Sequence, residues 1–185
     1  MRRFGDKLFR MGLVLCGVLV FVSAAPSAFA TPFGQGKFGA GLFGSQTSLT
    51  IALGGNVSLS LTPSGGNFSG NGSNTVTVTS NDTVGYSLYI YAPSGTSLVN
   101  GSATIAASSN SSPASLATNT WGYNTTGSTT NFMGITATPV LLKTASGPYE
   151  SGDTTTVTYG VLADGAEPDG SYTATVTYTA VALNE

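Results

Sequence analysis

The chain has 185 residues, of which only 8% are charged, with no histidine and a single cysteine. That length fits one domain and a leader. With no histidine, and with its one cysteine at Cys16, the chain cannot build a Ser-His-Asp or Cys-His nucleophile system or a zinc site of His and Cys ligands.

Residues 1–30 read as a secretory signal peptide. Arg2, Arg3, Lys7 and Arg10 form a basic start, Met11 to Val22 an apolar run, and Ala28-Phe29-Ala30 an A-x-A cleavage site. The apolar run is shorter than the roughly 20 residues a bilayer span requires. Cleavage is expected after Ala30, giving a secreted or cell-surface protein that meets a membrane only through its uncleaved leader. A lipoprotein anchor is not expected, because Leu15 precedes Cys16 where a small residue is needed. Beyond Ala30, Lys37 and Lys143 stand against Asp82, Glu150, Asp153, Asp164, Glu167, Asp169 and Glu185, a formal net charge of −5 without arginine. Such a surface repels phosphate backbones, which argues against nucleic acid as a partner. No cysteine remains there for disulfides, so stability must come from apolar burial and backbone pairing.

Residues 31–46 are dense in glycine, with Phe33, Phe38 and Phe43 recurring every five residues. Glycine at that density predicts a flexible tether, with an adhesive or docking segment as the alternative.

From residue 47 to 185 the pattern is that of strands, which put alternate residues on opposite faces. Leu49, Ile51 and Leu53 alternate, as do Val57, Leu59 and Leu61 after a Gly54-Gly55-Asn56 turn. Val76 and Val78 lie in a threonine frame. Tyr86, Leu88 and Ile90 give one face and Tyr89 and Tyr91 the other. Val157, Tyr159 and Val161 alternate, and Tyr172 to Ala180 is the longest such run. Valine, threonine and tyrosine all suit a pleated, half-buried surface. Turn signals fall at 63–67, 80–82, 92–95 and 147–148, and 164–170 predicts a hairpin-like link between the last two strands. The stretch 94–115 predicts mostly loop, with a short strand near 103–106. No window beyond the leader has helical periodicity. The fold class expected is all-β: an immunoglobulin-like antiparallel β-sandwich preceded by a cleaved signal helix and a Gly-rich tether.

Several phrases carry a likeness to a known family. They are Ser58-Leu-Ser-Leu-Thr-Pro-Ser64, the run from Val76 to Leu88, Asn119-Thr-Trp-Gly-Tyr123, Thr154-Thr-Thr-Val-Thr-Tyr-Gly160, and the run from Asp169 to Val181. Together, over about residues 47–183, they resemble the WxL-like surface domains of Gram-positive and candidate-phylum bacteria. At the places of that family's two tryptophan motifs stand Tyr86-Ser-Leu88 and Tyr178-Thr-Ala180, with tyrosine for both tryptophans and alanine for the second leucine. The resemblance implies a non-catalytic cell-surface role, with cell-wall polymer as the ligand.

Few residues invite chemistry. Acids such as Asp153 with Asp164 or Asp169 are a formal two-carboxylate pair, but solvated turn residues are the simpler expectation. Asp164, Glu167 and Asp169, close together beside glycines, are a weak calcium candidate, with an ordinary acidic turn again the simpler expectation. No glycine-rich phosphate cradle occurs, and no cofactor is expected. Trp121, with Tyr123 beside it, is either an exposed ring for stacking on sugars or a core residue, the latter being the commoner fate of large rings. Tyr89 and Tyr91 form either an outer-face ladder or a contact patch. The Asn-x-Ser/Thr triplets at Asn67, Asn81 and Asn124 carry little signal in so Asn- and Ser-rich a chain.

The function expected is a non-catalytic exported surface module that binds cell-wall polymer or a surface protein. No apolar tail follows Asn184-Glu185, so attachment would be non-covalent or the protein released. The alternative is a fibre subunit, joined by strand addition through residues 47–53.

Overall fold

The computed structural model describes residues 47–81 and 83–183. The expected signal helix, its cleavage site and the tether lie outside the described residues.

Two strands of fifteen residues organise the domain: β3 (Asn67–Asn81) and β11 (Tyr149–Ala163). They pair antiparallel over nearly their whole length, with Val76 opposite Thr155 and Val161 opposite Gly70. Around them lie β1 (Ser48–Leu53), β2 (Thr62–Ser64), β5 (Leu98–Asn100), β6 (Ala103–Ala107) and β8 (Thr120–Asn124), giving the order β1-β3-β11-β8-β6-β5 with β2 on the end of β3. A three-stranded sheet, β10-β4-β12, is built from β4 (Gly85–Tyr91), β10 (Val140–Ser146) and β12 (Thr177–Leu183). A two-residue pair, β7 (Ala114–Ser115) and β9 (Asn131–Phe132), completes the set. The described residues are all-β, in a sandwich-like arrangement of sheets, as the alternation predicts. All but one of the strand pairs are antiparallel; β6 and β8 run parallel over Ala106–Ala107.

The core is where alternation from the two sheets meets. Val76 and Val78 on β3, Leu88 and Ile90 on β4, and Val157 on β11 are fully buried. Burying each such aliphatic side chain stabilises the fold by about 1.5–3 kcal/mol.

Four elements differ from expectation. Val57 to Leu61 forms no strand. Leu53 pairs with Val76 and Thr62 with Ser69, so the chain between uses two more residues than β3 does over the same span. The surplus lifts residues 55–61 out of the ladder and over the glycines of β3. A Cβ at Gly70 would meet the carbonyl oxygen of Ser60 at 2.6 Å, and one at Gly72 would meet Leu59 Cδ2 at 2.8 Å. Val57 and Leu59 pack on the core from that position. Second, 164–170 is not a hairpin, because β12 pairs with β4 and not with β11. The link crosses from one sheet to the other. Third, the long alternation from Tyr172 becomes ladder only at Thr177; before it, Thr173 bridges Val99 of β5. Tyr172, Ala174 and Val176 still pack against the core. Fourth, the mostly looped stretch 94–115 carries β5 and β7 in addition to β6, the short strand expected near 103–106.

Loops between β6 and β10 cover the far face of β11. Phe132 is buried against Gly160, where an added Cβ would come within 2.2 Å of its ring. Asn124, wholly buried, holds the turn before β9: its amide donates to the carbonyls of Ser128 and Asn131, and its oxygen accepts from the amides of Thr126 and Ser128.

Candidate functional site

Trp121 and Tyr123 stand on β8 opposite Val161 and Tyr159 of β11. Their side chains point into the sandwich. Trp121 is 3% exposed, donates its Nε1–H to the carbonyl of Thr96 at 2.9 Å, and lies 6.3 Å from the ring of Tyr159. A ring so enclosed has no face to offer a sugar, and Tyr123 is just as deeply buried. Both residues therefore leave the candidate contact set. The physical reason is that β8 is an interior strand of its sheet, so its inward residues fill the core.

The four residues that the likeness singles out also pack inward, Tyr86 and Leu88 buried and Tyr178 and Ala180 partly buried against the core. Leu88 on β4 faces Ala180 on β12 in the ladder, and Tyr178 faces Ile90. Tyr86 and Leu88 are fully buried. Each of the two tyrosines reaches across to β11. Tyr86 donates its hydroxyl to Asp153 Oδ2 at 2.7 Å, and its ring meets Tyr149 edge-on at 5.8 Å. The hydroxyls of Tyr178 and Tyr159 hydrogen-bond to each other. These residues bind sheet to sheet rather than protein to ligand.

Asp153 is the centre of that bridge. Lys143 of β10 approaches its carboxylate at 2.7 Å, so the acid is held by two groups from the smaller sheet. Burial alone would raise its pKa, but the bonds from Lys143 and Tyr86, with the lysine charge, outweigh it and hold the carboxyl below its usual value. Burial, aided by the bond and charge of Asp153, pushes the Tyr86 hydroxyl well up, so it stays a donor. Burial does the same for Tyr123 and Tyr159, and lifts Tyr178 to about 12. Asp153 is thus engaged in holding the two sheets together.

The acidic loop does not gather a cation site. Asp164 accepts the amide of Ala166 at 3.0 Å, and Glu167 accepts the Tyr172 hydroxyl at 3.4 Å. Asp169 enters through its backbone, whose carbonyl accepts from Asn100. Among the described residues no three acids come together to hold a metal. The calcium candidate therefore finds no support, and Asp164 caps its own turn instead.

Tyr89 and Tyr91 are different. They alternate with the buried Leu88 and Ile90, so they stand on the outer face of the three-stranded sheet, half-buried. Tyr89 lies between Leu141 of β10 and Thr179 of β12, and Tyr91 lies opposite Thr177. With Pro139, Thr179 and Val181 the two tyrosines line a shallow hollow of about 270 Å³. None of the five lining residues bears a charge at neutral pH. The neighbouring Leu141 and Val181 are among the most exposed large apolar residues.

The sequence pointed to Tyr89 and Tyr91 by their parity alone. It gave no signal for Pro139, Thr179 or Val181, which reach the same hollow from just before β10 and from β12. Nor did it mark Lys143 and Asp153 as partners, since their meeting depends on two strands that belong to different sheets.

No protein-family model matches the chain, and neither a curated protein nor a solved structure matches it.

Proposed function

We propose that this protein is a non-catalytic, exported surface module that binds cell-wall polymer through the outer face of its three-stranded sheet. The observation that carries the proposal is the half-exposed Tyr89–Tyr91 pair on a sheet face that, among the described residues, is uncovered and uncharged. Tyrosine brings an apolar ring and a polar tip to a contact at low entropy cost, which is why it is enriched in binding surfaces. Rings stack on the C–H faces of sugar units, while Thr177 and Thr179 offer hydroxyls beside them. The signal peptide read over residues 1–30 and the likeness to WxL-like domains support an envelope location. The absence of histidine, without which no Ser-His-Asp system can form, supports a binding role over hydrolysis by that route.

The test is co-sedimentation with isolated wall sacculi. The wild-type chain should bind saturably. Replacing Tyr89 and Tyr91 together by alanine should weaken binding at least about tenfold, or about 1.4 kcal/mol, with the melting midpoint little changed. Wild-type protein left wholly in the supernatant would dispose of wall binding. Full binding by the double variant would move the site elsewhere.

A further inference from the structure

A polymer of linked phosphates is gripped by lysine and arginine through charge-assisted hydrogen bonds. The three-stranded sheet has one charged residue in all its strands, Lys143 of β10. Lys143 pairs with the buried Leu88 in the ladder and reaches Asp153 of β11 at 2.7 Å, so the larger sheet already engages its charge. It is also the one cation among the described residues, against the acids Glu150, Asp153, Asp164, Glu167 and Asp169. A domain with that balance repels a polyanion at long range and offers it no grip at contact. Charge therefore sets aside the phosphate-linked and acidic polymers of a wall.

The placement of the rings sets a direction. Tyr89 and Tyr91 stand two residues apart on one face of β4, so they are spaced by about 7 Å along the strand. Their β12 flank carries hydroxyls, with Thr179 opposite Tyr89 and Thr177 opposite Tyr91. Their β10 flank is apolar, with Leu141 opposite Tyr89 and Pro139 just before the strand. The result is a row of two rings between a polar and an apolar border, running with β4. The hollow they line, about 270 Å³, lies below the roughly 300–1,000 Å³ of clefts that enclose a small ligand. A site this shallow covers one side of its ligand, which suits a stretch within a long chain better than a free sugar or a chain end.

We infer that, given wall binding through this face, the ligand is an uncharged glycan strand laid along β4, with successive sugar rings on Tyr89 and Tyr91. A neutral pyranose presents the two surfaces that this face can meet. Its C–H side packs on the tyrosine rings, and its hydroxyl edge exchanges hydrogen bonds with Thr177 and Thr179.

Co-sedimentation of the wild-type chain with wall sacculi, before and after hydrofluoric acid has removed their phosphate-linked polymers, tests this. Binding should survive the stripping within about twofold. It should change little as salt is raised, because no ion pair is there to be screened, and soluble poly(glycerol phosphate) should not compete. Tyr89→Ala and Tyr91→Ala, taken singly, should each weaken binding to stripped sacculi at least about threefold; thermal melts show whether each variant is folded. A chain that never sediments with native sacculi would overturn wall binding, and this ligand with it. Binding that holds on native sacculi but is lost on stripping, or is displaced by poly(glycerol phosphate), would leave wall binding standing and overturn the uncharged ligand. Wild-type affinity in either folded single variant would overturn the placement along β4.

Discussion

Replacing Asp153 by alanine removes the acceptor that ties β4 and β10 to β11. The Tyr86 hydroxyl, 2.7 Å from Asp153 Oδ2 on a fully buried residue, then loses its partner. A buried donor left unsatisfied costs about 1–3 kcal/mol. The Lys143 pair adds less: the lysine side chain is 34% exposed and the aspartate 15%, so solvent screening leaves about 0–1 kcal/mol. The expected loss near neutral pH is therefore about 1–4 kcal/mol, a sizeable part of the 5–15 kcal/mol typical of a domain. Asp153→Asn keeps an oxygen for Tyr86 and should lose about 1 kcal/mol. The pH dependence follows from the direction of the shift. The folded carboxyl titrates below its unfolded value, so its contribution is present above about pH 3.9 and is lost as pH falls through the lower folded value. Urea unfolding of wild type and both variants, at neutral pH and in acid, reads this directly. The alanine penalty should shrink in acid. A penalty below about 0.5 kcal/mol at neutral pH, within the range of ordinary surface changes, would refute the bridge. A penalty independent of pH would refute its ionic part.

Three other substitutions probe the packing. The Tyr123 hydroxyl is buried and has no hydrogen-bond partner among the described residues. Tyr123→Phe should therefore be neutral or stabilising by up to about 1 kcal/mol, whereas Tyr178→Phe, which strips a partner from Tyr159, should destabilise by about 1 kcal/mol; thermal melts compare them. Gly160→Ala would push its methyl into the ring of Phe132, and overpacking of this kind costs about 1–3 kcal/mol; a chemical-denaturation midpoint equal to wild type would show that Phe132 does not sit on that glycine.

The all-β class, the parity of the faces and the loop positions were legible along the chain because each is a local property. Alternation places Tyr86, Leu88 and Ile90 on one side of a strand and Tyr89 and Tyr91 on the other, whatever the strand meets. Turn residues such as Gly65 and Gly147, both with positive φ, mark ends by their own conformational freedom. What local pattern cannot say is which face is covered, because that depends on neighbours distant in sequence. Trp121 and Tyr89 look alike as aromatic residues in strands. One is sealed because its strand lies inside the larger sheet against a facing layer, and the other is half-exposed because no described strand packs on the outer side of the smaller sheet. Val57 to Leu61 reads as a strand, yet the two-residue surplus opposite β3 lifts it off the ladder. Lys143 and Asp153 read as lone charges, yet two strands from different sheets bring them to 2.7 Å. Period and turn chemistry act over a few residues, while burial, register and charge pairing are decided by which strands the folded chain lays side by side.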